Sequence, residues 1–170
     1  MSGEATNGFF GLRTSRNLPA IDLASFVARR SSANQIGGIE LNLPVGLIAL
    51  LHQPSLCFIT TLMPDGSPQM TQTWVDTDGE HIVINTVQGF QKVKNLERDP
   101  RVAVGVSDPS NPSRYYAIRG RVVNITTEGG AEHIEALAQR YLGGPYPWYG
   151  GRDQVRVILT ISADKIHAMG

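Results

Sequence analysis

The sequence predicts a mainly β protein in which six to seven antiparallel strands curl into a barrel, with helices at its periphery. Three observations favour this fold. Apolar and β-branched runs of strand length recur from residue 56 onward, turn residues separate them at hairpin distance, and few helical patterns interrupt them. Parallel strands need crossover helices, so the order βββαββαβ argues against a doubly wound fold and for an antiparallel barrel.

The composition limits the possible classes of function. The chain has 170 residues, enough for one domain with its own core, and its 15 basic and 15 acidic residues give a net charge of zero. A neutral chain has no general attraction to nucleic acid or to an anionic membrane, so we expect neither partner. The longest apolar tract, residues 43–63, is interrupted by Pro44 and Pro54 and is too broken for a membrane span.

The cysteine content and the first residues indicate a compartment. The single cysteine, Cys57, lies in an apolar run and cannot form an internal disulfide, which is typical of a reducing environment. Residues 1–7 show neither the charged nor the apolar region of a secretory signal. We therefore expect a cytoplasmic protein in which Cys57 is a small core residue.

Residues 1–40 differ in character from the rest of the chain. They are rich in Gly, Ser, Asn and Ala and show little periodicity, so we interpret them as an N-terminal extension that is partly mobile or docked on a second subunit. A short helix is predicted near Pro19, with an apolar side formed by Leu23, Phe26 and Val27. Residues 41–170 are the predicted barrel domain.

The first half of the barrel domain is predicted to be a helix followed by a three-stranded meander. Pro44 suits the first turn of a helix that carries Leu47, Ile48 and Leu51 on one side. Turns with Pro, Asp and Gly then separate three predicted strands, at residues 56–63, 69–76 and 81–86.

The second half alternates helices and strands. A helix is predicted over residues 88–99, stopped by Pro100, and a longer one over residues 128–142, stopped by Gly143 and Gly144. Residues 108–113 are predicted to be a loop. The predicted strands are residues 101–106, 115–126 and 154–161, with a short one at residues 165–168.

The junction between the third strand and the next helix has the features of a phosphate site. Thr86 supplies a hydroxyl, Gly89 permits close approach of the backbone, and the first helical turn presents free N–H groups. Lys92 and Lys94 add full positive charges. A single Gly-x-x-Lys pattern also fits an ordinary turn with solvated lysines, so this pattern alone does not decide.

Five short blocks follow one another along the barrel domain: residues 64–69 (PDGSPQ), 73–75 (TWV), 84–86 (INT), 92–103 (KVKNLERDPRVA) and 119–122 (RGRV). In this order and spacing they resemble the split β-barrel flavin and deazaflavin oxidoreductases, the superfamily of pyridoxamine 5'-phosphate oxidase. The resemblance covers the chain from about Leu43 to its end and implies a fold of the FMN-binding split-barrel type.

The resemblance also implies residue roles. The strand after the Pro-Asp-Gly turn would lie along the tricyclic ring of the cofactor, and Thr86 and Lys92 would hold its phosphate, with Lys94 nearby. The ring contacts would come from Met70, Thr71, Gln72 and Thr73. The family builds two equivalent sites at a homodimer interface, so aromatic residues could reach over the partner's cofactor and the substrate: Tyr146, Trp148 and Tyr149. Trp74 is equally suited to the core or to a ring contact.

Two cofactors are compatible with this resemblance. The FMN-dependent oxidases carry Arg-Lys at the helix start and a Trp and Arg pair near the C-terminus, whereas this chain has Gln91-Lys92 and no clear pair around Arg156. The block at residues 92–96 is closer to the deazaflavin branch, whose members bind coenzyme F420. A second lysine suits the phosphate and polyglutamate tail of that coenzyme. We therefore expect F420, with FMN as the alternative.

The expected function is transfer of a hydride from reduced F420 to a small electron-poor organic substrate. The alternatives are an FMN-binding oxidase or reductase of the pyridoxamine phosphate oxidase-like type, and a non-catalytic protein that binds a cofactor or a tetrapyrrole. No side chain is identified as a catalytic acid or base. The four histidines are scattered in the sequence, so no metal site is expected.

Overall fold

The computed structural model describes residues 43–170, which form one sheet of seven antiparallel strands and three helices. The predicted N-terminal extension, residues 1–40, and its short helix lie outside the described residues. The helices are α1 (Val45–Leu51), α2 (Gln91–Arg98) and α3 (Gly130–Leu142). The strands are β1 (Leu56–Leu62), β2 (Pro68–Thr73), β3 (Val75–Thr77), β4 (Ile82–Val87), β5 (Arg101–Asp108), β6 (Asn111–Thr126) and β7 (Arg156–Met169).

The sheet curls into a split barrel, as predicted. Its strand order is β2-β1-β5-β6-β7-β4-β3, so β2 and β3 lie at its two edges although they are consecutive in sequence. Only Trp74 separates them. The chain therefore passes from one edge of the sheet to the other at Trp74, which closes the barrel on that side.

This break corrects two predictions. The expected single strand at residues 69–76 is divided at Trp74, and the expected meander of three paired strands does not form. Instead β2 pairs with β1, and β3 pairs with β4. The residues between Gln69 and Asp76 contain no Gly or Pro that would mark the break; a tertiary contact makes it.

The second half of the sheet is also more continuous than predicted. Strand β7 runs unbroken from Arg156 to Met169 and joins the two strands predicted in this region. Arg119 pairs with Lys165 and Gly120 with Ala163, so Asp164 is an extra residue in a bulge. The predicted loop at residues 108–113 is wrong in extent: only residues 109 and 110 separate β5 from β6, which begins four residues before the strand predicted at residues 115–126.

The barrel interior is the hydrophobic core, and α1 packs against it. The inward side chains of six strands and one face of α1 are almost completely buried. Burial raises the pKa of the Cys57 thiol to about 12, so Cys57 is a protonated core residue, in agreement with the sequence prediction. The largest fully buried side chains of the core include Leu47, Leu50, Leu51, Ile59, Ile84, Ile118, Leu159 and Ile161.

Tyr141, at the end of α3, holds the break at Trp74 in place. Its hydroxyl accepts a hydrogen bond from the backbone N–H of Val75 at 3.2 Å and donates one to the carbonyl oxygen of Ser55 at 3.1 Å. The rings of Trp74 and Tyr141 stack with their centroids 5.1 Å apart. Burial raises the pKa of Tyr141 to about 12, so the hydroxyl keeps its proton at neutral pH.

We expect Tyr141→Phe to lower the free energy of unfolding by about 1–3 kcal/mol, because the buried N–H of Val75 then has no partner. Chemical denaturation measures this change. Tyr149→Phe is the matched control. It removes the same hydroxyl group from a residue that is 75% exposed, so it should change the free energy of unfolding little. Equal stability of the two variants would show that the Tyr141 hydroxyl does not hold the break.

Candidate functional site

A cleft of about 440 Å³ opens beside the break at Trp74. Gln72 and Thr73 reach it from the end of β2, and Asn85 and Arg156 reach it from the paired strands β4 and β7. The cleft brings together two predicted ring contacts, two predicted substrate aromatics and an arginine. Its lining residues are Gln72, Thr73, Trp74, Asn85, Ile134, Tyr146, Tyr149 and Arg156.

Arg156 is a buried cation at this cleft. Only 8% of the residue is exposed, and its Nε donates to Asn85 Oδ1 at 2.8 Å. The guanidinium carbon lies 5.2 Å from the centroid of the Tyr146 ring, and Nη1 donates to the Tyr146 hydroxyl at 3.5 Å. Burial lowers the pKa of Arg156, and no carboxylate of residues 43–170 forms an ion pair with it.

Lys92, in the first turn of α2, is a second cation close to Arg156. Its pKa is lowered first by burial and then by the positive charge of Arg156. Within the described part of the chain, Lys92 likewise has no carboxylate partner. Two partly desolvated cations that repel each other cost free energy unless an anion neutralises them. The donor set therefore fits a phosphate group.

The backbone at the start of α2 adds to this anion site. Gly89 has a φ of +79°, and no side chain caps the helix at Phe90. The N–H groups of Gln91 and Lys92 belong to the first turn, where a helix has no internal acceptors. Such N–H groups and the helix dipole favour an anion. The predicted strand-to-helix junction is therefore present as an uncapped helix start.

The other predicted phosphate residues lie at this junction but differ in exposure. Thr86 is the penultimate residue of β4 and is 4% exposed. Lys94 follows one half-turn after Lys92 on α2 and is exposed to solvent. Lys94 can thus reach an extended anion in solvent, whereas Lys92 is partly buried.

The four predicted ring contacts on β2 alternate between two faces of the sheet. Met70 points outward and is 65% exposed, and it lines a different groove from the cleft. Thr71 points inward, and its Oγ1 is the one buried side-chain polar atom without a hydrogen-bond partner in residues 43–170. Gln72 and Thr73 line the cleft. The cleft end of β2 thus carries the residues nearest to Arg156.

The predicted aromatic segment forms one wall of the cleft. Glu135 of α3 accepts hydrogen bonds from the backbone N–H of Tyr146 and from Trp148 Nε1, both at 2.9 Å. Trp148 is thereby tied to α3, while Tyr146 and Tyr149 meet edge to face at 5.7 Å and line the cleft. These two tyrosines line the same cleft as Gln72 of the same chain.

A second groove, of about 480 Å³, lies on the outer face of the sheet. Small residues of β5 and β6 form its floor, and Phe58 and Met70 border it with 38% and 65% of each residue exposed. Arg119 and Lys165 stand at one end. We call this surface the outer face; its residues include Phe58, Thr60, Met70, Ala103, Gly105, Ala117 and His167.

The described residues also limit other kinds of site. No group of three or more His, Cys, Asp or Glu side chains among residues 43–170 is arranged to hold a metal ion. None of the three helices described there has the length and apolar character needed to span a membrane.

Sequence reasoning did not identify Arg156 or Asn85 as site residues. Strand β7 reaches Lys92 only because it pairs with β4, where Val157 lies opposite Thr86. The signal present in the sequence was an arginine at the head of an otherwise apolar strand, a position at which a charged residue needs a specific partner.

Comparisons with known proteins agree with this architecture. The model of the pyridoxamine 5'-phosphate oxidase family matches residues 47–170. An F420 reductase of known structure is 32% identical with a TM-score of 0.65, and the match covers 74% of this chain and 98% of that one. No curated protein sequence matches the chain.

Two more distant structures share the fold. A conserved hypothetical protein from Mycobacterium tuberculosis is 20% identical with a TM-score of 0.60, over 79% of this chain and 89% of that one. General Stress Protein 26 from Bacillus anthracis is 16% identical with a TM-score of 0.54, over 71% of this chain and 88% of that one.

We expect Lys92→Met to leave the free energy of unfolding of the ligand-free protein unchanged within about 0.5 kcal/mol, or to raise it. The substitution keeps the apolar stem and removes a partly buried charge that Arg156 repels. Lys94→Met, on the exposed side of the same helix, is the control. A loss above about 1 kcal/mol in Lys92→Met alone would mean that the ammonium group has a favourable partner in the protein itself.

Proposed function

The chain belongs to the pyridoxamine 5'-phosphate oxidase family, and from that membership we propose that it binds coenzyme F420 and uses it to reduce a small electron-poor organic substrate. Family membership and the similarity to an F420 reductase support an oxidoreductase of the flavin and deazaflavin type. The choice of F420 and the direction of the reaction are our proposals.

The observation that carries the proposal is the pair of cations formed by Arg156, which lines the cleft, and Lys92 in the first turn of α2. Lys92 and Arg156 are close enough for the charge of one to lower the pKa of the other, and neither has a carboxylate partner in residues 43–170. Both F420 and FMN carry a phosphate that would neutralise this pair. The uncapped start of α2 offers N–H groups to the same anion.

Two observations favour F420 over FMN. The F420 reductase is similar to this chain over 98% of its own length. In addition, the polyglutamate tail of F420 carries negative charge beyond the phosphate, and exposed Lys94 lies next along α2 to meet it. Arg98 and Arg114, two other cations of this chain, already have partners: Arg98 donates to the carbonyl oxygen of Leu62, and Arg114 lies 3.5 Å from Asp108.

The remaining roles follow from the shape of the cleft. We assign Met70, Thr71, Gln72 and Thr73 to the strand along which the cofactor ring lies, with Gln72 and Thr73 on the cleft side. Tyr146 and Tyr149 form the opposite wall, where a flat substrate could lie against aromatic rings. Bound F420 in its reduced form supplies the hydride. The protein residues hold the two reactants in register and exclude water.

We further propose that two copies of the chain associate through the outer face. Exposed apolar side chains are concentrated there, which is typical of interfaces between subunits. Met70 and Gln72 lie two residues apart on the same side of β2, so the outer face is continuous with the strand assigned to the cofactor ring. Phe58 and Met70 of this surface have more than a third of the residue exposed. The same is true of Leu56, Tyr115 and Met169, which extend the same face of the sheet beyond the groove.

A titration of the purified protein with F420 and, separately, with FMN tests the cofactor proposal. We expect F420 to bind with quenching of its fluorescence, FMN to bind more weakly, and Lys92→Met to weaken F420 binding by about 1–3 kcal/mol, or about 5- to 150-fold. Lys94→Met should have a smaller effect. Tight FMN binding without F420 binding would overturn the assignment of F420, and binding of neither would overturn the proposed function.

The dimer proposal is tested by the molar mass in solution. We expect the wild type to elute as a dimer and Phe58→Asp to elute as a monomer, because the charge would be buried in the interface. Light scattering coupled to size-exclusion chromatography gives the mass. Val45→Asp is the matched control, since Val45 is 79% exposed and lies outside the outer face. A monomeric wild type, or a dimeric Phe58→Asp variant, would contradict the proposal.

A further inference from the structure

A chain of hydrogen-bonded side chains runs from Arg156 away from the cleft. Arg156 Nε donates to Asn85 Oδ1 at 2.8 Å, and Asn85 Nδ2 lies 2.8 Å from the carbonyl oxygen of Gly130 and 3.3 Å from His133 Nδ1. On the far side of the imidazole ring, His133 Nε2 lies 3.4 Å from Asp76 Oδ2. These side chains come from β7, β4, α3 and β3, so they connect four elements.

The partners of Asn85 fix the orientation of its amide. Arg156 can only donate and the carbonyl of Gly130 can only accept, so Asn85 Oδ1 must face Arg156 and Nδ2 must face Gly130. The second hydrogen of Nδ2 points to His133. Asn85 is 5% exposed and Arg156 is 8% exposed, so water is not a ready substitute for any of these bonds.

The same reasoning fixes the protonation state of His133. Because Asn85 Nδ2 donates, His133 Nδ1 must accept, and the ring proton is on Nε2, facing Asp76. Burial opposes ionisation of Asp76, but hydrogen bonds from His133 and Arg140 lower its pKa to about 2, so Asp76 is an ionised acceptor at neutral pH. The neutral Nε2–H form of His133 satisfies every bond in the chain.

We propose that Asn85 and His133 are positioning residues that set the orientation of Arg156 toward the cofactor phosphate, and that protonation of His133 weakens cofactor binding. The inference rests on the proposed function and extends it to residues outside the anion site. Protonated His133 carries a hydrogen on Nδ1 that opposes the Asn85 amide hydrogen. The amide must then rotate or withdraw, and Arg156 loses the acceptor that holds its Nε.

The charged groups around His133 come from several elements. Asp76 of β3 faces His133 Nε2, and Arg140 of α3 lies 2.9 Å from the same carboxylate. His52, which follows α1, lies 3.8 Å from Asp76 and shares that carboxylate. Arg156 lies on the other side of Asn85. Because both histidines lie near the same carboxylate, His52 is the natural control for His133.

Calorimetric titration of the full chain with F420 and with FMN, at about pH 8 and about pH 5.5, tests the inference. Protonation of the cofactor phosphate affects every variant equally, so the comparison between variants isolates the histidine. We expect the wild type and His52→Gln to lose at least about fivefold more affinity on acidification than His133→Gln, whose amide can accept from Asn85 and donate to Asp76 at both pH values. Thermal unfolding at each pH confirms that all variants are folded.

A spectroscopic measurement tests the tautomer without relying on binding. Imidazole ¹⁵N shifts of the ligand-free protein should show His133 protonated at Nε2 and unprotonated at Nδ1 near neutral pH. A proton on Nδ1 would overturn the inference. So would parallel pH profiles of the wild type and His133→Gln, and that result would leave the proposed function intact if the cofactor binds. Absence of binding of either cofactor by the wild type would overturn both.

Discussion

The proposed site depends on a pair of positive charges that no carboxylate of the described residues neutralises. Arg156 begins β7 opposite the end of β4, Lys92 lies in the first turn of α2, and the positive charge of Arg156 lowers the pKa of Lys92 after burial does. Burial of these two charged side chains therefore lowers the stability of the ligand-free protein. Such a cost is common where a protein is arranged to bind a charged ligand. The start of α2, which no side chain caps, follows β4 at the same junction. The two positive charges, the helix dipole and the free N–H groups all favour an anionic ligand.

The geometry of the barrel makes this corner into a site. Because β2 and β3 are consecutive but lie at opposite edges of the sheet, the break at Trp74 leaves a cleft instead of a continuous wall. Tyr141 holds the break, and the neighbouring residues of α3 hold the rest: Glu135 fixes the aromatic wall, and His133 contacts Asn85 behind Arg156. Three residues of α3 thus contact the elements that surround the cleft.

The sequence predicted the parts of the structure that local patterns determine. Turn residues marked the hairpins, and the apolar patterns placed β1, β4 and β5 within two residues of their bounds. The break at Trp74 was missed because the contact with Tyr141 that makes it is distant in sequence. The continuation of β7 was missed because a bulge at Asp164 interrupts the apolar alternation without ending the strand. Of the two cations of the proposed anion site, Lys92 was predicted from its motif and Arg156 was not, because the position of Arg156 opposite Val87 follows from strand pairing.

We propose that an anionic group of a redox cofactor binds Lys92 and Arg156, with the cofactor ring along β2. A crystal structure of the protein with F420 or FMN tests it most directly. The account predicts the phosphate within hydrogen-bond distance of both cations and of the first N–H groups of α2, with the ring beside Gln72 and Thr73. A phosphate bound elsewhere, with Lys92 and Arg156 neutralised by a carboxylate of the protein, would contradict it.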